Sequence, residues 1–570
     1  MFAETAAGLT FPDYFVLAAF LAGMLAMGVV IARRQQSSDD FFVAGRNMPA
    51  WAVGISLFAS LLSTITYLGM PGEMFRTGVA FLTRQLPIPL VLAVVWGLWI
   101  PFFMRLRLTS AYEYLERRFN YPVRAFAAVF CLLLLFGWIS VVVLTASRAM
   151  AEITVPAIAD PIARAETLNQ MMFGIIIGVG MFSVIYTTLG GIRAVVWTDV
   201  VQFTVLLVGA IVTMTSIASM TGTGISDWIA TSQQYQHEEV QWFDWNVSNR
   251  STVFTITLNM FFWFICTHGA NQVALQRYFT VKDISAARRT YLVSAVASIL
   301  IGVLLAGVGI ALMSFLQQSD LPVKEQLLNS QVGARGDLPD QVFPQFIRMY
   351  LPAGLKGLVV AALFAAAMST IDSGANSAST IITVDFIRPF AKTPATSHQE
   401  LQRARKLTAA AGVTVVVYTI LLYQISKGTN IIDLTQKGFN CFLGGLGGLF
   451  VLGMFTRRVT STIAMLALLL GEVFGVFTSY FREITAWLAN TQGGWWAETL
   501  GGPTIEAGQL SVYQGTPFST HLVVPGAWFV TVLTGVVLAF LLRTRCSEEQ
   551  SRWTWRQVVN HAQAEPSNRN

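Results

Sequence analysis

The sequence predicts an all-α membrane protein whose chain crosses the bilayer thirteen times. Three observations predict it: an apolar composition, apolar runs of the length a bilayer needs, and basic residues gathered in alternate loops. Of 570 residues, 54% are apolar and only 12% are charged. A soluble chain of this size carries roughly 25% charged residues. Lipid therefore surrounds most of its surface.

A hydrocarbon core about 30 Å thick needs about 20 apolar residues per helix. Thirteen stretches meet that demand: 12–32, 49–71, 81–103, 124–153, 171–189, 195–221, 251–270, 287–316, 354–388, 404–425, 429–455, 460–482 and 521–543. The first follows Glu4 with no Lys or Arg before it. It is too long for a signal peptide and lacks a small-residue cleavage site, so it reads as a retained span.

Orientation follows from the bias of Lys and Arg toward cytoplasmic loops. With the N-terminus outside and the C-terminus inside, the cytoplasmic segments hold 25 of the 37 basic residues. Arg33, Arg34 and Arg46 come first, then Arg105, Arg107, Arg117, Arg118 and Arg124, then Arg193. Arg277, Lys282, Arg288 and Arg289 follow, then Arg388, Lys392, Arg403, Arg405 and Lys406. Arg457, Arg458 and five tail arginines complete the set. The long loops 222–250, 317–353 and 483–520 then fall outside, with Trp242, Trp245, Trp495 and Trp496 as an interfacial belt and a sequon at Asn246. The net charge of +6 is explained by these loops and does not call for nucleic acid.

Several function classes are excluded. Cys131, Cys266, Cys441 and Cys546 show no CxxC spacing, and the five histidines form no HxxxH or HExxH pair. The segments outside the membrane are too short for a catalytic or nucleotide-binding domain, and the 27 residues after Arg543 are no exception. The protein is not read as an enzyme.

Polar groups at membrane depth are the informative positions, since a central charge costs roughly 2.5–3.5 kcal/mol to insert. The second span holds Ser56, Ser60, Ser63, Thr64 and Thr66 beside Gly54, Gly69, Pro71 and Gly72. It fits a broken helix whose freed carbonyls face a cation, and equally hydrogen bonding between helices. Asp199 enters the sixth span after the turn at Gly190–Gly191, as an interfacial anchor or a cation ligand. In the ninth span Ser369, Asp372, Ser373 and Asn376 share one face by i, i+3, i+4 and i+7 spacing. Hydroxyls, a carboxylate and backbone carbonyls suit a small hard cation. In the eleventh span Asp433 and Lys437 fit an ion pair at the outer end, and Gln436 and Asn440 are placed to face a solute.

At these residues the chain resembles the sodium/solute symporter family. FFVAGRNMPAWAVGISLFAS, LTSAYEYLERRF, GGIRAVVWTDVVQ, NQVALQRY, MSTIDSGANSAST and FVLGMFTRR occur in the family's order between residues 40 and 458. The wording is closest to the iodide, monocarboxylate and multivitamin branch. The resemblance implies the LeuT fold, with five-helix inverted repeats at 49–221 and 251–455. An extra span and loop (1–48) precede them, and the outer loop 222–250 separates them. Two further spans (456–543) and a cytoplasmic tail (544–570) follow.

It also implies a sodium ion (Na+) on backbone carbonyls of Ala59, Leu62 and Ala366 with the hydroxyls of Ser369 and Thr370. A second sodium ion would use Asp199 with Ser369, Asp372 and Ser373. Many members carry a hydroxyl where Asp372 stands. The solute would meet Ser63, Thr66, Phe81 and Gln85, as in bacterial sialic-acid symporters, and Gln436, as in the sugar-transporting branch. The carboxylate-pairing arginine of the sialic-acid carriers has no match in LLLLFGWISVVV. The expectation is a sodium-driven importer of a small organic anion or sugar-like solute, monomeric or weakly oligomeric, in the cell's inner (plasma) membrane. Its rivals are a proton-coupled or uncoupled carrier on the same fold, with Asp199 or Asp372 as proton carrier, and a membrane-embedded sensor.

Overall fold

The computed structural model describes residues 8–33, 35, 37–154, 161–245, 252–330, 338–391, 396–425, 434–481, 483–484, 505–506, 509–510 and 519–561. Lys392, Asp433, Asn246, Trp495 and Trp496 lie outside them, as does the side chain of Gln436. Among the described residues twelve helices are long and apolar enough to cross a membrane, and Ala50–Leu61 is a shorter apolar helix. Large apolar side chains such as Phe15, Leu133, Ile185, Val303 and Leu533 are exposed on the outer surface. Lipid is the solvent that such a surface requires.

In chain order the helices are α1 (Phe11–Ala32), α2 (Ala50–Leu61), α3 (Thr64–Thr77), α4 (88–106), α5 (Tyr121–Thr154), α6 (Glu166–Thr188) and α7 (Gly190–Thr221). There follow α8 (Val253–Ala270), α9 (Gln272–Phe279), α10 (Ile284–Gln318), α11 (Leu355–Ile381), α12 (Ser397–Ile425), α13 (Lys437–Phe455), α14 (Ser461–Ser479) and α15 (Val523–Leu541).

Two spans are broken. The first stops at Leu62, whose ψ of 116° is extended, and restarts after Ser63. Serine and threonine hydroxyls compete for backbone groups and favour such ends. The second stops at Asn271, also extended, whose side chain caps the next helix by accepting from Val273 N–H at 2.9 Å. Each broken span opens a set of five: α2/α3 through α7, and α8/α9 through α13. Five is odd, so the second set traverses in the opposite sense to the first.

Two local devices hold this frame. Gly191 has a φ of +53° at the turn from α6 to α7, and an added Cβ there would sit 2.8 Å from the carbonyl oxygen of Phe41. Only glycine satisfies both demands. Asp13, at the start of α1, accepts backbone N–H groups of Gly354 and Gly357 at 2.8 Å and so pins α1 to the head of α11. The ladder-bearing α11 packs chiefly on α6 and α7.

Candidate functional site

The residues expected to hold the shared sodium ion converge on the break. Ala59 and Leu62 end α2, where the last carbonyls of a helix lack intrahelical partners. Ala366, Ser369 and Thr370 are fully buried on α11, which packs directly on α2 and α3. Thr64 Oγ1 ties the start of α3 to the carbonyl of Leu363 on α11, at 3.3 Å. Thr370 Oγ1 donates to the carbonyl of Ala366 at 3.3 Å. Of the two hydroxyls, that of Thr370 is spent on its own helix and that of Ser369 on Asp199 of α7.

Asp199 of α7 is wholly buried, which excludes an interfacial anchor. Its carboxylate accepts from Ser369 Oγ (2.5 Å), Ser56 Oγ (2.5 Å) and Ser60 Oγ (3.2 Å). Its counter-charge is Arg277 of α9, at 3.2 Å, with both side chains fully buried. Arg277 also donates to Ser56 (3.0 Å), Ser373 (2.6 Å) and Ser60. Counting Arg277 among the cytoplasmic loop residues is thus corrected. Helix α9 packs it among α2, α7 and α11, where Ser56, Asp199 and Ser373 meet it. Arg118 and Arg124 are likewise buried rather than solvated, bound to the carbonyls of Gly453 and Thr456 and to Asp385, respectively.

Asp372 does not join the Asp199 group. Its carboxylate takes hydrogen bonds from Tyr186 and Thr187 of α6, and Tyr186 is in turn met by Gln202 at 3.3 Å. At 100° per residue Asp372 lies at the edge of the polar stripe, and that edge faces α6. Ser369, Ser373 and Asn376 face α7, α2 and α9 through Asp199, Ser60, Arg277 and Gln276.

Beside the break lies a cavity of about 190 Å³. Ser63, Thr66 and Phe81 line it, together with Phe58, Glu73, Arg84, Trp138, Asn259, Trp263, Asn440 and His521. Gln85 is not among its lining residues. Its amide packs against α10 at Gly302, 2.2 Å from where a Cβ would stand. Thr435 reaches the cavity, whereas the side chain of Gln436 lies outside the described residues. Lys437, expected to pair with Asp433, pairs with Glu483 at 2.5 Å. Asn440, expected to face a solute, lines the cavity, whereas Trp263 and Asn259 escaped sequence reasoning. Trp263 Nε1 donates to Asn440 Oδ1 at 3.1 Å, which joins the two helices that open and close the second set.

The cavity runs from the break toward Glu73, Arg84 and His521. Toward the other end of the helices the protein is cross-linked. Arg124 pairs with Asp385 (2.7 Å), Ser110 Oγ donates to Asp385 (2.5 Å), and Gln276 donates to Phe42 O (2.7 Å) and Asn376 (2.9 Å).

Comparison with known proteins agrees with this geometry. Residues 41–471 match the sodium:solute symporter family. A sodium/sialic acid symporter of Aliivibrio fischeri is 35% identical over 460 residues, covering 80% of this chain and 85% of that protein. The mouse sodium-coupled monocarboxylate transporter 1 is 30% identical, covering 83% and 74%. A solved sodium-coupled sialic acid symporter, substrate-bound, outward-open and described as having a novel sodium site, superposes with a TM-score of 0.72 at 26% identity, over 94% of this chain and 99% of that one. The likeness extends to the LeuT-type fold. This multi-pass membrane chain belongs to the sodium:solute symporter family, and it is a sodium-coupled symporter of a small organic solute.

Proposed function

We propose that the protein imports a small organic acid or sugar-like solute across the cell's inner membrane, with the solute held in the cavity at the α2–α3 break. One observation carries this reading. The break that ends α2 at Leu62, in a helix packed on α11, presents Ser63 and Thr66 to the cavity. An ion that draws α11 onto α2 thereby sets the shape of the solute site. Coupling demands such a difference, since an ion that binds both states equally shifts nothing.

In this reading the shared ion sits among Ala59, Leu62, Ala366, Ser369 and Thr370. A second ion uses Asp199, Ser369 and Ser373, displacing the Arg277 guanidinium that now fills that space. The relative with a novel sodium site supports a second ion here. Asp372, held by Tyr186 and Thr187, reaches that ion only by rotating away from α6. The cross-links Arg124–Asp385 and Gln276–Phe42, with the outward-open relative, support an outward-facing state.

We further propose thirteen crossings, with the N-terminus outside and the C-terminus inside. The 43-residue apolar run Thr64–Leu106 divides at Gly78, and its first part joins α2 as one broken span. The repeats then occupy 49–221 and 251–455, and the chain acts as a monomer or weak oligomer. A membrane potential of about 150 mV supplies roughly 3.5 kcal/mol per sodium charge. A tenfold sodium gradient adds about 1.4 kcal/mol. One ion then sustains a solute gradient in the thousands for a neutral solute.

The test is uptake by proteoliposomes of a labelled panel of carboxylates and sugars, driven by an inward gradient of sodium or of choline. Accumulation above equilibrium with sodium alone is expected. Accumulation that runs equally well in choline, or on a proton gradient without sodium, would refute the reading.

A further inference from the structure

Among the cavity-lining side chains one charge is left over. Glu73 is engaged by Arg76 at 3.0 Å, and Arg76 is also paired with Asp340 at 3.0 Å. Arg84 lines the same cavity and feels Glu73 only through longer-range attraction, for its guanidinium makes no hydrogen bond or ion pair to any described residue. Its recorded contact is with the face of Phe81, whose ring centroid lies 5.0 Å from Cζ. Phe81 lines the cavity as well.

A guanidinium lying over an aromatic ring keeps a defined orientation and leaves its N–H fork free. In a largely apolar cavity such a fork carries an unspent electrostatic attraction. Its geometry matches a carboxylate, which it can bind through two parallel hydrogen bonds. The remaining wall is apolar and aromatic near Phe58, Trp138 and Trp263, with the hydroxyls of Ser63 and Thr66 at the break. This is a surface for the uncharged body of the solute.

From this geometry we infer that Arg84 is the anchor for a solute carboxylate, and that the transported solute is a monoanionic organic acid. The inference rests on the symport reading and deepens it. Arg84 excludes cations and gives a neutral sugar no compensation for displacing water from the guanidinium. Because Arg84 lies in the 3-10 turn Gly78–Gln85, directly after α3, the carboxylate would reach the segment that continues the broken span.

The experiment uses purified full-length protein and matched acid–neutral pairs: lactate with lactamide, gluconate with glucose, and sialic acid with its methyl ester. Thermal stabilisation is measured in sodium and in choline for wild type, Arg84→Gln and Arg84→Lys. The solute-free response to sodium is recorded for each variant, and it reports separately whether the ion site is intact. In wild type at least one acid is expected to stabilise the protein in sodium while its neutral mate does not. Charge-assisted hydrogen bonds of this kind correspond to about 10- to 100-fold in half-saturating concentration. R84Q should raise that concentration for the acid by this factor, R84K should restore part of it, and both should keep the wild-type sodium response. The inference is overturned if the neutral mate binds as well as the acid, if R84Q binds the acid as wild type does, or if no acid in the panel stabilises wild type. In each of these cases a retained sodium response leaves sodium coupling standing. Loss of the sodium response in wild type itself would instead overturn the symport reading.

Discussion

Replacing Arg277 by Gln tests whether a guanidinium holds the space of the second sodium ion. Arg277 and Asp199 are both fully buried, 3.2 Å apart, and Arg277 also donates to Ser56, Ser60, Ser373 and the carbonyl of Val273. Removing one member of a buried ion pair costs about 3–5 kcal/mol, because it strands the other charge. In R277Q the stranded charge is Asp199, surrounded by three serine hydroxyls with no cation among them. Sodium is then the natural replacement. An ion at 100 times its dissociation constant returns about 2.7 kcal/mol, which is most of the loss. The expectation is a variant clearly less stable than wild type in choline and closer to it in sodium, so that its sodium-induced rise in Tm exceeds the wild-type rise. Differential scanning fluorimetry of detergent-purified protein across a sodium titration reads this directly. Adding Asp199→Asn should remove the extra rise, because no carboxylate remains to attract the ion. Equal sodium-induced shifts in wild type and R277Q, or an extra shift that survives in the double variant, would refute the reasoning.

Ser369→Ala and Thr370→Ala each remove one hard oxygen donor, worth about 0.5–1.5 kcal/mol, and should raise the sodium concentration for half-maximal uptake about 2- to 10-fold; wild-type sodium dependence in both would exclude the shared site. Asp372, fully buried on Tyr186 and Thr187, faces no cationic side chain within ion-pair distance among the described residues. A proton on this carboxylate would compete with a sodium ion for the same oxygens. At limiting sodium, wild-type uptake should therefore fall on acidification, and Asp372→Ser should flatten that profile; an unchanged profile would assign Asp372 to helix packing alone. Thr66→Ala should raise the apparent KM for the solute about 2- to 10-fold with the solute-free sodium response unchanged, whereas Gln85→Ala, whose amide packs at Gly302, should change it less. A cysteine placed beside Lys282 should resist membrane-impermeant thiol reagents in intact cells while one beside Lys324 is labelled, and the reverse pattern would invert the proposed orientation.

Much of this was legible in one dimension. Apolar runs of bilayer length and a polar ladder in α11 are local properties, and lipid makes both costly to disguise. The break at Leu62–Ser63 was readable as one of two alternatives, because glycine, proline and hydroxyl residues gather there. The break at Asn271 was not, since a single asparagine between two ordinary stretches carries no such density. Arg277 shows the same limit more sharply. An arginine a few residues past an apolar run looks the same in sequence whether it meets the cytoplasm or a buried carboxylate 78 residues earlier. Tertiary structure decided that, by packing the Arg277 side of α9 against Asp199 of α7. It also turned Asp372 toward α6, because a stripe four residues deep has edges and the packing of neighbouring helices determines what each edge meets. Gln85 was drawn toward α10 by the space that Gly302 leaves. Composition, span length and the family motifs fixed the class and the coupling ion, for they depend on residue type along the chain. Which polar groups share one site depends on which helices touch, and only the folded arrangement supplies that.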